Sequence, residues 1–167
     1  MIDAETIVRA ATELFKQKLS ENLQKLDPAT SLTAAVADDF GKDIKTIACQ
    51  AAAEGIRQFL SSFDERHDTL IVDGHTYYPR EEQEPKILMT IAGKIRLPRW
   101  AYQSNTCNRV HIPLDLKCGI DREFAMPAVR EALLYINSEL SPRSVETFLK
   151  KVGTFQISHT ANENIIK

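Results

Sequence analysis

At residue 69 the spacing of apolar side chains changes from three or four to two, and no other feature of the sequence constrains the fold as much. Upstream, Val8, Ala11, Phe15, Leu19, Leu23 and Leu26 fall on one stripe of a helix. Asp27-Pro28 ends it, because the residue before a proline avoids the helical region. A second stripe starts near Ser31, passes through Leu32, Val36, Phe40, Ile44, Ile47 and Ala51, and continues to Phe63. Unbroken from 31 to 66, it would span about 54 Å, longer than a small domain is wide, so it must bend or project. Gly41 and Gly55 are its weak points, and Ala48, Ala51, Ala52 and Ala53 admit a close neighbour. An intramolecular antiparallel hairpin and a dimer interface explain the pattern equally well.

Downstream, residues 69–72 and 75–78 flank Asp73-Gly74, a pair that supplies the positive φ angles of a tight primed turn. Residues 86–91 and 94–102 flank Ala92-Gly93 and predict a second hairpin, with Pro98 marking an edge or a bulge. Residues 110–112 add a short strand. The reading is an antiparallel β-meander of four or five strands within 69–118. Helices return after Asp121, with Pro127 in a first turn and Val129, Leu133, Leu134 and Ile136 on the apolar face to about Asn137. Ser141-Pro142 caps a further helix that buries Val145, Phe148, Leu149 and Val152 and stops at Gly153. Ser158 opens a last helix that buries Ala161 and Ile165, with Ile157 plugging the turn. The predicted class is α+β in three parts: a helical hairpin or pair of long helices in 1–66, the meander in 69–118, and a helix-turn-helix in 121–167.

Charge divides the chain in the same place. Residues 1–77 hold 8 Lys+Arg against 13 Asp+Glu, and residues 78–167 hold 13 against 10, so a surface for a polyanion belongs in the second half. With 43% hydrophobic and 26% charged residues the composition is that of a globular chain. No apolar run approaches the roughly 20 residues of a membrane span, and Asp3 and Glu5 stand where a secretory leader needs a base, so a cytoplasmic protein is expected. Cys49, Cys107 and Cys118 form no close pair and are expected to be reduced thiols.

Motifs of hydrolases, phosphate-binding loops and zinc proteases are absent. Glu81, Glu82 and Glu84 offer carboxylates for a metal-dependent nuclease, but such a run more often forms a solvated loop. Cys107, His111 and Cys118 lack the close C-x-x-C pairing of a structural zinc site. No catalytic residue, metal or cofactor is expected. The segment 140–167 carries more. If its two helices form a helix-turn-helix, the second exposes His159, Thr160, Asn162, Glu163, Asn164 and Lys167 to the major groove. Asn162 suits an adenine edge, Arg143, Lys150 and Lys151 suit phosphates, and Lys94, Arg96 and Arg99 form a basic strand face. The same helices would also serve as plain scaffold in a protein-interaction module.

Several of these features occur in a familiar order. The Asp73-Gly74 hairpin precedes Thr90-Ile91-Ala92-Gly93-Lys94-Ile95-Arg96-Leu97-Pro98-Arg99 and Trp100-Ala101-Tyr102, followed by Pro113-Leu114-Asp115. Then come Val145-Glu146-Thr147-Phe148-Leu149, Gly153 and Ile157-Ser158-His159-Thr160. Over residues 69–167 this order resembles the N-terminal region of the DDE transposases of ISKra-type bacterial insertion sequences. Cys107 matches the second cysteine of that family's zinc knuckle, whereas Ser104 stands in place of the first, so the knuckle is expected to be lost. The family's metal-binding carboxylates lie beyond the helix-turn-helix, past the position of Lys167. The resemblance therefore implies a truncated, non-catalytic DNA-binding or assembly protein of a mobile element. Its partners would be duplex DNA and a second copy of itself, the acidic helices serving as the oligomerisation or docking arm. The alternative is a protein-protein interaction or regulatory module without DNA binding.

Overall fold

A computed structural model describes residues 3–27, 31–107, 109–120, 124–152 and 156–166. Pro28, Gly153 and Lys167, two helix stops and one expected DNA contact, lie outside the described residues. The first two helices are α1, Ala4–Leu23, and α2, Ala34–Ser61. Each opens on a side-chain cap: the Asp3 carboxylate accepts the Thr6 N–H at 3.0 Å, and Thr33 Oγ1 accepts the Val36 N–H at 3.3 Å. They form an antiparallel hairpin, with Ala11 facing Gly55 and Asn22 Nδ2 donating to Asp43 Oδ2 at 2.8 Å. Helix α2 runs unbroken through Gly41 and Gly55 and stops at Ser61, about 42 Å long. It does not project alone, because its last turns pack on a β-hairpin.

Among the described residues six strands follow: β1, Leu70–Val72; β2, His75–Pro79; β3, Glu84–Thr90; β4, Gly93–Arg99; β5, Tyr102–Ser104; and β6, Val110–His111. Asp73 and Gly74 both take positive φ, 51° and 75°, as the tight β1–β2 turn requires. The strands do not form one meander. Instead β1-β2-β5-β6 make one antiparallel sheet, and β3-β4 stand apart as a second. The chain leaves the first sheet after β2, makes the β3–β4 hairpin and returns at β5. At the return, the Trp100 N–H donates to Asp64 Oδ2 at 2.9 Å, and the Ala101 carbonyl accepts the Arg80 N–H at 2.9 Å. These bonds hold the strand break. Pro98 sits opposite Pro85, so two residues without an N–H share a single rung of the ladder.

The remaining helices are α3, Pro113–Cys118; α4, Pro127–Glu139; α5, Pro142–Val152; and α6, His159–Ile166. Helix α3 was not anticipated; Pro113 starts it and Gly119, at φ 64°, ends it. Among the described residues two apolar clusters result. One joins Ala53, Ile56, Leu60 and Phe63 to Leu88, Ile95, Leu97, Leu114 and Ile120, across the place where the period changes. The other joins Val129, Leu133, Val145, Leu149, Ile157 and Ile165 of the C-terminal helices to Met89. Strand alternation explains why β3 serves both, since the neighbours Leu88 and Met89 point to opposite faces. Main-chain bonds from Met89 N–H to the Phe124 carbonyl, 2.7 Å, and from Met126 N–H to the Met89 carbonyl, 2.9 Å, complete the joint.

Candidate functional site

Besides their apolar cluster, the C-terminal helices are joined, among the described residues, by two polar connections. Ser141 caps α5 through the Ser144 N–H, 3.3 Å, and Ser158 caps α6 through the Ala161 N–H, 3.3 Å. Within α5, Glu146 accepts from Lys150 Nζ at 2.7 Å, and across the turn one of its oxygens accepts the His159 N–H at 2.9 Å and lies 3.2 Å from His159 Nδ1. The Lys150 ammonium and then the two His159 contacts hold the Glu146 carboxyl at about 2. A carboxylate thus occupies the N-terminus of α6, where the helix dipole favours negative charge. The second connection is a reciprocal amide pair: Asn137 Nδ2 donates to Asn162 Oδ1 at 2.9 Å, and Asn162 Nδ2 donates to Asn137 Oδ1 at 3.1 Å.

That pair corrects the expectation for Asn162. It is fully buried and ties α6 to α4, so it presents nothing to a base edge. A position three residues before Ile165 lies on the inner face of α6, and helical spacing alone would have placed it there. His159, Thr160, Glu163 and Asn164 do face outward. Arg143, Lys150 and Lys151 are exposed on α5, with Lys150 engaged by Glu146. Phe148, expected in the core, is 45% exposed.

Strand alternation also divides the expected basic face. Lys94 and Arg96 point outward, whereas Arg99 points in, as odd and even positions on a strand must. Arg99 pairs with Asp115 of α3 and donates through Nε to the Glu84 carbonyl at 3.3 Å. Lys86 reaches the same Asp115 oxygen at 3.2 Å and donates to the Ile120 carbonyl. One buried carboxylate therefore joins β3, β4 and α3, and Arg99 is structural. Pattern reading missed Asp115, Lys86, Asn137 and Glu146, because the contacts by which they join separate elements are tertiary; for Glu146 the i,i+4 spacing to Lys150 was a local signal, while its bond to His159 was not. Parity on β4 could have excluded Arg99.

Among the described residues no group of three or more His, Cys, Asp or Glu side chains can hold a metal ion. Cys107 lies 3.6 Å from the Tyr77 hydroxyl, and hydrogen bonds from Ser104 and Tyr77 lower its thiol below the ordinary value. Cys118 ends α3, where burial raises its thiol. Glu81 and Glu82 are exposed, and Glu84 pairs with Arg80. No described helix is long and apolar enough to cross a membrane. Comparison of the chain with protein-family models, with curated proteins and with solved structures returns no match.

Proposed function

We propose that this chain is a non-catalytic DNA-binding or assembly protein, that α5 and α6 act as a helix-turn-helix on duplex DNA, and that it is related to the transposase N-terminal regions it resembles. One observation carries the reading: α6 is fixed against α4 and α5 by Asn162 and Glu146, while His159, Thr160 and Asn164 stay exposed beside the bases of α5. A recognition helix needs a rigid back and a polar front. Thr160 and Asn164 would meet base edges, and Arg143 and Lys151 would meet phosphates. Glu146 on the α6 N-terminus and the exposed Glu163 oppose phosphate, so affinity is modest and depends on the basic residues of α5.

Titration of labelled duplexes with T160A and K151A variants tests this. T160A should alter preference among sequences, whereas K151A should weaken all of them and lower the salt slope by about one unit. Equal binding by wild type and K151A would contradict it. We also propose a homodimer through the α1–α2 hairpin, supported by the exposed Val8, 64%, and Phe59. A second reading, a protein-interaction module without DNA binding, is favoured by Tyr135, 76% exposed, with Leu134 and Phe148 also outside the core.

A further inference from the structure

The acidic half of the chain contributes to a basic groove. Alternation along β4 turns Lys94, Arg96 and Pro98 outward, and α2 brings Arg57 alongside them. Two adjoining concavities, of about 200 and 420 Å³, share both Arg57 and Arg96 as lining. Lys94 lines the first, and Gln83, Pro85 and Pro98 line the second. Glu54 fixes the Arg57 guanidinium from one side, with Nε–Oε2 at 2.8 Å and Nη2–Oε1 at 2.6 Å. Among the described residues, neither Lys94 nor Arg96 makes an ion pair. Three cations therefore face one groove with one carboxylate among them, whereas Arg80 is engaged by Glu84 and Arg66 by the Trp100 ring.

The lining selects the ligand. A protein partner would need a desolvated apolar or aromatic anchor at the centre of its contact; the second concavity offers only two prolines, and the apolar lining of the first is Leu14 with Ala53 and Ile95, the last two already buried in the fold's own core. An added peptide strand would find no N–H at Pro85 or Pro98. Phosphodiester oxygens, by contrast, accept only, carry charge and suit guanidinium forks. We propose that the α2–β4 groove holds a stretch of nucleic-acid backbone, with Arg96 central and Lys94 and Arg57 to either side. The proposal rests on the nucleic-acid reading above, but it places the contact on a different surface and draws α2 into it.

The test uses the full chain, a labelled mixed-sequence duplex of about 20 base pairs, and anisotropy titrations at about 50 and 200 mM salt. Three proteins are compared: wild type, a K94Q/R96Q pair, and a K150Q/K151Q pair. All four substituted side chains are exposed, and melting curves confirm that the variants fold. K94Q/R96Q should weaken binding about tenfold at low salt and lower the salt slope by about two, since each phosphate contact contributes about 0.9. R96K alone should keep the slope while losing some affinity, as a fork is exchanged for a point charge. If K94Q/R96Q matches wild type while K150Q/K151Q binds weakly, the groove proposal is overturned and the helix reading stands. The opposite pattern supports the groove and removes the helix reading. Absence of wild-type binding at low salt overturns both. Displacement of duplex by a glutamate-rich peptide at equal charge overturns the groove's assignment to phosphodiester in favour of an acidic protein partner.

Discussion

Asp115 shows how one residue can serve the architecture rather than a ligand. It is buried, it faces both Arg99 and Lys86, and its Oδ1 has no hydrogen-bond partner among the described residues. Removing one partner from a buried ion pair leaves the other charge uncompensated. D115A should therefore cost about 3 to 5 kcal/mol in chemical denaturation, while the triple replacement D115L/R99M/K86M should cost much less. Asn162 follows the same logic on a smaller scale: N162A leaves the Asn137 amide without its partner and should cost about 1 to 3 kcal/mol. Any loss of DNA affinity in N162A should then be the same for every sequence. Glu146 makes stability depend on pH. Its folded value, about 2, lies below the ordinary 4.5 of an unfolded glutamate, so its contribution is complete above pH 4.5 and is lost as pH falls toward 2. E146Q should flatten the pH dependence of the melting temperature in that window, and a profile unchanged from wild type would contradict the α5–α6 connection.

At the scale of elements, α2 carries two glycines in its interior with no need for them. A Cβ on Gly41 would meet nothing within 4 Å, and one on Gly55 would meet the Ala11 Cβ at an ordinary 3.6 Å. G41A and G55A should each raise stability by roughly 0.5 to 1 kcal/mol in thermal or denaturant unfolding. A loss at Gly55 would show that the two helices pack more closely than the hairpin described. Elements governed by local chemistry were legible in the sequence: the helical stripes, the Asp73-Gly74 turn, the β3–β4 hairpin, and the Ser141 and Ser158 caps. What was not legible depends on distant partners. Nothing local in Trp100-Ala101 says that the strand must break there; Asp64, more than thirty residues earlier, holds it. The short α3 has too few residues to show a period. Of the proposed contacts, Thr160, Lys150 and Lys94 lie where pattern put them, outside, while Arg99 and Asn162 belong to inner faces that parity and helical spacing encode.

For the whole molecule, β3 is the joint, with Leu88 in one apolar cluster and Met89 in the other. The helical hairpin lies beyond this joint, and no residue of α1 is fully buried. A helix of 20 residues whose apolar positions are half-buried or, at Val8 and Leu23, exposed gains from a second copy, so light scattering at tens of micromolar should give twice the monomer mass. A monomer mass would instead leave α1 supported by α2 alone. Whether the proposed binding of duplex DNA by the basic surfaces of α5, α6 and the α2–β4 groove takes place is decided by a salt titration of the full chain. Binding of a mixed-sequence duplex should be measurable near 50 mM salt, and log K should fall linearly with log salt, with a slope steeper than about −2. No binding at low salt, or an affinity indifferent to salt, would contradict the claim and leave the exposed Tyr135, Leu134 and Phe148 as the surface that matters.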